Sequence, residues 1–103
     1  MNKVAMVTGS SRGLGRAIVL ELAKNGYDVV INYNNSEDRA KLVQEEVSKL
    51  GVKSLLIKCD ISNEEEVKYM IDETVKEFGK IDVLVNNAAV CYDTNCCFFY
   101  NSV

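Results

Sequence analysis

The stretch Thr8-Gly9-Ser10-Ser11-Arg12-Gly13-Leu14-Gly15 constrains this chain more than any other. It follows a short β-prone apolar run, Lys3 to Thr8. From Gly13 onward the period becomes helical, with Leu14, Ala17, Ile18 and Leu22 as the predicted inner stripe. A glycine-rich turn between a strand and a helix suits a dinucleotide's pyrophosphate. Gly9 permits the tight turn out of the strand, Gly13 lets the backbone approach the phosphates, and Gly15 lets helix and strand pack closely. The helix N-terminus then offers free N–H donors and a partial positive charge. The spacing is G-x-x-x-G-x-G rather than G-x-G-x-x-G, so a plain connecting turn is the competing reading.

The rest of the chain repeats the alternation. Asn25-Gly26 stops the first helix, and Asp28 to Tyr33 reads as a second strand. Ser36 is placed to cap a second helix whose stripe is Ala40, Val43, Val47 and Leu50, closed by Gly51. Lys53 to Cys59 is a third strand. Ser62 and Glu65 fit a capping box, and Glu64, Glu65 and Glu66 suit the positive end of a third helix. Its predicted inner face is Val67, Met70, Ile71, Thr74 or Val75, and Phe78, with Gly79 closing it. Ile81 to Val85 is a fourth strand, followed by Asn86-Asn87. Short connections between alternating units imply an α/β fold, a parallel sheet with helices on both faces. The strands are near-continuously apolar, as strands covered on both faces are.

Composition narrows the function. A net charge of -3 gives no general case for nucleic acid or an anionic membrane. No apolar run approaches a membrane span of roughly 18–20 residues, and the N-terminus lacks a signal-peptide core, so a cytoplasmic setting is expected. With no histidine, His-based catalysis and most zinc sites are excluded, and no metal is expected.

The choice of dinucleotide is read from the end of the second strand. An NAD site usually places an acid about 20 residues after the glycine loop, for the ribose 2′-hydroxyl. Here that stretch is Asn32-Tyr33-Asn34-Asn35-Ser36, with no acid before Glu37 and Asp38. Arg12 could instead pair with a 2′-phosphate. Both features favour NADP(H) over NAD(H), the bland alternative for Arg12 being a solvated surface arginine.

Three blocks together resemble the short-chain dehydrogenase/reductase family, especially its members like 3-oxoacyl-carrier-protein reductase. They are TGSSRGLG at 8–15, the pair Asp60-Ile61 after the third strand, and Ile81-Asp82-Val83-Leu84-Val85-Asn86-Asn87-Ala88. The resemblance covers residues 1–90 and implies a Rossmann-type sheet in strand order 3-2-1-4, ending after the fourth strand. It also implies that Gly9, Ser10, Ser11, Arg12, Gly13, Leu14 and Gly15 line the phosphates and adenosine ribose, with Asn34 near the 2′ position. Asp60 would accept from the adenine amino group with Ile61 packed nearby, and Asn87 and Ala88 would contact the far ribose. The family usually has Asn-Asn-Ala-Gly here, whereas this chain has Ala89 in the glycine position.

The family's chemistry uses a tyrosine acid with a lysine four residues on, since a tyrosine near pKa 10 needs a positive neighbour. Tyr27, Tyr33, Tyr69 and Tyr92 have Ile31, Glu37, Glu73 and Cys96 at that offset, and Tyr100 is too near the end. The expectation is therefore the cofactor-binding half of an oxidoreductase that lacks the catalytic serine, tyrosine and lysine. The alternative is a non-catalytic nucleotide-binding or subunit-pairing remnant. Residues 91–103, with Cys91, Cys96 and Cys97 among aromatics, read as an irregular tail of frameshift or truncation origin. A thiolate metal site or a disulfide clasp fits worse. An uncovered fourth-strand edge would invite a second copy or a partner chain.

Overall fold

A computed structural model of the protein describes residues 2–87. It contains β1 (Val4–Val7), α1 (Gly13–Lys24), β2 (Asp28–Tyr33), α2 (Glu37–Lys49), β3 (Ser54–Lys58), α3 (Glu64–Phe78) and β4 (Val83–Val85). The strands form one sheet in the order β3-β2-β1-β4, every pair parallel. This is the Rossmann-like order expected from the sequence. Ala88 and the 91–103 tail lie outside the described residues.

Both faces of the sheet are covered, which is why its strands are apolar without alternation. Ala5, Val7, Val29 and Ile31 face Val19 and Ala23 of α1 and Ala40, Val43 and Val47 of α2. Met6, Val30 and Ile57 face Val67 and Met70 of α3, joined by Cys59 and Ile81. The register places Met6 beside both Val30 and Leu84, so β1 is the centre of both layers. Each fully buried Val, Ile or Met contributes roughly 1.5–3 kcal/mol relative to exposure. Among the described residues, β1 is β4's only strand partner, and no helix is long and apolar enough to cross a membrane.

The inner stripe of α1 differs in part from the expected one: Ile18 and Leu22 pack half-buried against the core as expected, but the first turns do not. Leu14 is 69% exposed and Ala17 is exposed, whereas Gly15, Val19 and Ala23 are buried. Small residues win because α1 packs close to β1, and a Leu stripe would hold it away. On α2, Ala40, Val43 and Val47 are buried as expected, but Leu50 is 40% exposed just past the last turn. On α3 the buried residue is Thr74 and not Val75, its hydroxyl donating to the Met70 carbonyl at 2.8 Å.

The expected caps are also corrected. Ser36 sits at the start of α2 but its side chain makes no cap hydrogen bond. The start of α3 is held by Asn63, whose Oδ1 accepts from Glu65 N–H at 3.0 Å and Glu66 N–H at 3.2 Å. Ser62 is turned the other way, its hydroxyl donating to Asp60 Oδ1 at 2.7 Å. Asn63→Ala is therefore expected to lower stability by about 1 kcal/mol and shift the urea midpoint accordingly. A Ser62→Ala variant should move that midpoint much less.

Candidate functional site

The C-terminal ends of β1 and β4 lie side by side in the sheet, β1 continuing into the glycine turn and β4 into Asn86-Asn87. In open α/β sheets the carboxyl ends of the strands are the usual place for a ligand. β1 ends in Thr8, which is fully buried. Its N–H donates to the Val85 carbonyl at 3.0 Å, and its hydroxyl oxygen accepts from Asn87 N–H at 2.8 Å. The same hydroxyl lies 3.3 Å from Asn86 Oδ1. Thr8 thus ties the glycine turn to the Asn86-Asn87 turn. Asn87 Nδ2 also donates to the Gly9 carbonyl at 3.4 Å.

Two glycines show why the turn needs them. Gly9 turns with φ 63, a left-handed conformation. At Gly15 a Cβ would lie 2.2 Å from the Gly9 oxygen and 2.6 Å from Asn87 Nδ2, so α1 can reach β1 only without a side chain there. Gly13 also has φ 60, but a Cβ there would meet nothing within 4 Å, so its missing side chain leaves open space at the start of α1.

The start of α1 is suited to an anion. Arg12 stands at its N-cap without a side-chain cap bond, and no acidic residue occupies its first turn. The first helical bond is Arg16 N–H to the Arg12 carbonyl, at 3.3 Å, which leaves earlier N–H groups directed out of the helix. By contrast, α2 carries Glu37 and Asp38, and α3 carries Glu64, Glu65 and Glu66, at the corresponding positions. A pyrophosphate fits the α1 donor set and the gap left by Gly13.

Arg12 and Leu14 are exposed beside the turn, and Asn34 is exposed just past β2. Ser10 and Ser11 are buried, and the Ser10 hydroxyl oxygen accepts from Asn32 N–H at 2.9 Å. Asp60 and Ile61 follow β3, both half-buried. Asp60 Oδ1 accepts from the Ser62 hydroxyl and from Ser62 N–H at 3.0 Å, which holds its carboxyl below the usual aspartate range. Beyond Asn34, a hollow of about 390 Å³ is lined by Asn35, Ser36, Glu37, Asp38 and Arg39. Among the described residues there is no group of three or more His, Cys, Asp or Glu that could hold a metal ion.

Sequence reasoning passed over Asn32 and Thr8. Asn32 is a buried polar residue inside an apolar strand, and its Oδ1 accepts from Gly9 N–H at 2.9 Å. The signal was present: a lone amide in Asp28–Tyr33 must find partners on neighbouring strands.

Cys59 closes this end of β3. Burial, with the Glu66 and Asp60 carboxylates, pushes its thiol up from 9.0 to about 11. The folded state keeps the proton longer than the unfolded chain, so this contribution is intact below pH 9.0 and lost as pH rises toward about 11. The expected loss is about 3 kcal/mol. A Cys59→Ala variant should show a correspondingly flatter alkaline stability profile by urea denaturation.

A model of the short chain dehydrogenase family matches residues 3–100, a stretch that runs into the cysteine-rich segment. The chain belongs to the short-chain dehydrogenase family. It is 52% identical over 93 residues to a 3-oxoacyl-(acyl-carrier-protein) reductase of Staphylococcus epidermidis, covering 90% of this chain and 38% of that protein. It is 45% identical over 86 residues to a hydroxynaphthalene reductase-like protein of Metarhizium brunneum, covering 84% of this chain and 32% of that one. Among solved structures, a short-chain dehydrogenase of Burkholderia cenocepacia in complex with NADP superposes with a TM-score of 0.82 at 41% identity, over 85% of this chain and 36% of that one. An alcohol dehydrogenase of the archaeon Thermococcus sibiricus, complexed with 5-hydroxy-NADP, gives 0.81 at 35% identity, over 89% and 39%. The chain therefore spans well under half the length of these short-chain dehydrogenases.

Proposed function

We propose that this chain is the cofactor-binding half of an NADP(H)-dependent short-chain oxidoreductase. Bound nicotinamide would supply or accept the hydride exchanged with a carbonyl or alcohol. The observation that carries the reading is the joining of the glycine turn to Asn86-Asn87 through Thr8, beside the open N-terminus of α1. In this reading the backbone from Gly9 to Gly15, with Ser10, Ser11 and Leu14, holds the pyrophosphate and the adenosine ribose. Arg12 and Asn34 take the 2′-phosphate. Asp60 accepts from adenine beside Ile61, while Asn87 and Ala88 orient the second ribose.

The 103 residues contain no tyrosine with a lysine four positions later, which favours binding without turnover by this chain on its own. The outer edge of β4 would then serve for pairing with a second copy or another chain. The test is retention of the folded chain on immobilised adenosine 2′,5′-bisphosphate with elution by NADPH. The same sample, incubated with NADPH and small ketones, should consume no cofactor. Passage of folded protein straight through the resin contradicts the reading.

A further inference from the structure

We propose that Asn32 is a positioning residue for the cofactor cleft: its amide sets the spacing between the glycine turn and the Asp60 turn. The inference rests on the cofactor-binding reading above. β2 lies between β1 and β3, so the last buried residue of β2 is flanked by the two turns that would hold opposite ends of an adenosine diphosphate. Asn32 is 2% exposed and engages both sides. Its Oδ1 accepts from Gly9 N–H at 2.9 Å, and its Nδ2 donates to the Cys59 carbonyl, one residue before Asp60, at 3.2 Å. Its backbone binds the same turn again: Ser10 N–H donates to the Asn32 carbonyl at 3.0 Å, and Asn32 N–H donates to Ser10 Oγ at 2.9 Å. With a further Nδ2 contact to the Ile57 carbonyl at 3.5 Å, five hydrogen bonds run from one residue to the glycine turn and the end of β3. A side chain at this position must accept on one side and donate on the other, which an amide or a hydroxyl does and an apolar group does not.

The test compares Asn32→Thr with Asn32→Val in the full chain. The two side chains have nearly the same shape and both suit a strand, but only threonine can accept and donate. NADPH affinity is measured by calorimetry well below each melting temperature, and exchange of the Gly9 amide hydrogen by NMR without cofactor. The expected result is that Asn32→Thr binds NADPH within about threefold of the unaltered chain, while Asn32→Val binds about tenfold or more weakly. Gly9 exchange should quicken in the valine variant only. A folded Asn32→Val that matches the threonine variant in both measurements overturns the inference and leaves the cofactor reading standing. An unaltered chain that binds no NADPH overturns both.

Discussion

Gly15→Ala is expected to destabilise the fold by about 3 kcal/mol or more and to lower the melting temperature by about 15 °C. The added methyl has nowhere to go. It would sit 2.2 Å from the Gly9 oxygen and 2.9 Å from the Gly9 carbonyl carbon, both backbone atoms that no rotamer change can move. Relief requires α1 to back away from β1. That would open the layer formed by Val19, Ala23, Ala5 and Val7, and break the Asn87 bond to the Gly9 carbonyl. Small domains have a total stability of only about 5–15 kcal/mol, so this is a large fraction of it. Gly13→Ala makes the useful comparison. Its Cβ meets nothing, and the cost is the left-handed backbone at φ 60, roughly 1–2 kcal/mol. That variant should fold, yet place a methyl where a phosphate would approach. Thermal melts of both variants check the ranking, and a Gly15→Ala chain melting like the unaltered one contradicts the packing account.

The second large effect concerns cofactor choice. Arg12→Ala is expected to weaken NADPH binding about tenfold or more, because a charge-assisted contact to phosphate is worth roughly 1.5–3 kcal/mol. NADH, which lacks the 2′-phosphate, should bind the variant and the unaltered chain about equally, within roughly twofold. Arg12 is exposed and makes no ion pair among the described residues, so its removal leaves the fold intact. Parallel calorimetric titrations with the two cofactors separate a phosphate contact from a general loss of positive charge. Equal weakening toward NADPH and NADH would assign Arg12 to the pyrophosphate, and no weakening would make it a solvated arginine.

The sheet was legible in the sequence because its four strands are short apolar runs separated by helical periods. Two-faced burial explains the runs, while the order β3-β2-β1-β4 came from the family resemblance. The glycine turn was legible for a related reason, since Gly9 takes a left-handed φ that favours glycine and Gly15 leaves no room for a Cβ. The inner face of α1 was not. Reading the period from Leu14 pointed to Leu14 and Ala17, whereas close approach to β1 selects Gly15, Val19 and Ala23. The start of α3 was misplaced by one residue because Ser62 and Asn63 are both good caps, and Asp60 takes the serine. Asn32 is legible as a lone amide in an apolar strand, but its role is not. Its partners Gly9 and Cys59 are distant in sequence and adjacent only once β2 lies between β1 and β3. At the lower end, Asp82 plays a similar part. Its Oδ2 accepts from Val4 N–H at 2.8 Å, and this bond, with Lys80, holds its carboxyl below the usual range.

In the proposed reading, the turn from Gly9 to Gly15 holds the phosphates of a nicotinamide dinucleotide. Calorimetric titration of the folded chain with NADPH and then NADH tests it most directly. Saturable one-to-one binding of NADPH and weaker binding of NADH are the expected result. A folded chain that gives no binding heat with either cofactor contradicts the claim, and tighter binding of NADH contradicts the assignment of Arg12 and Asn34 to a 2′-phosphate.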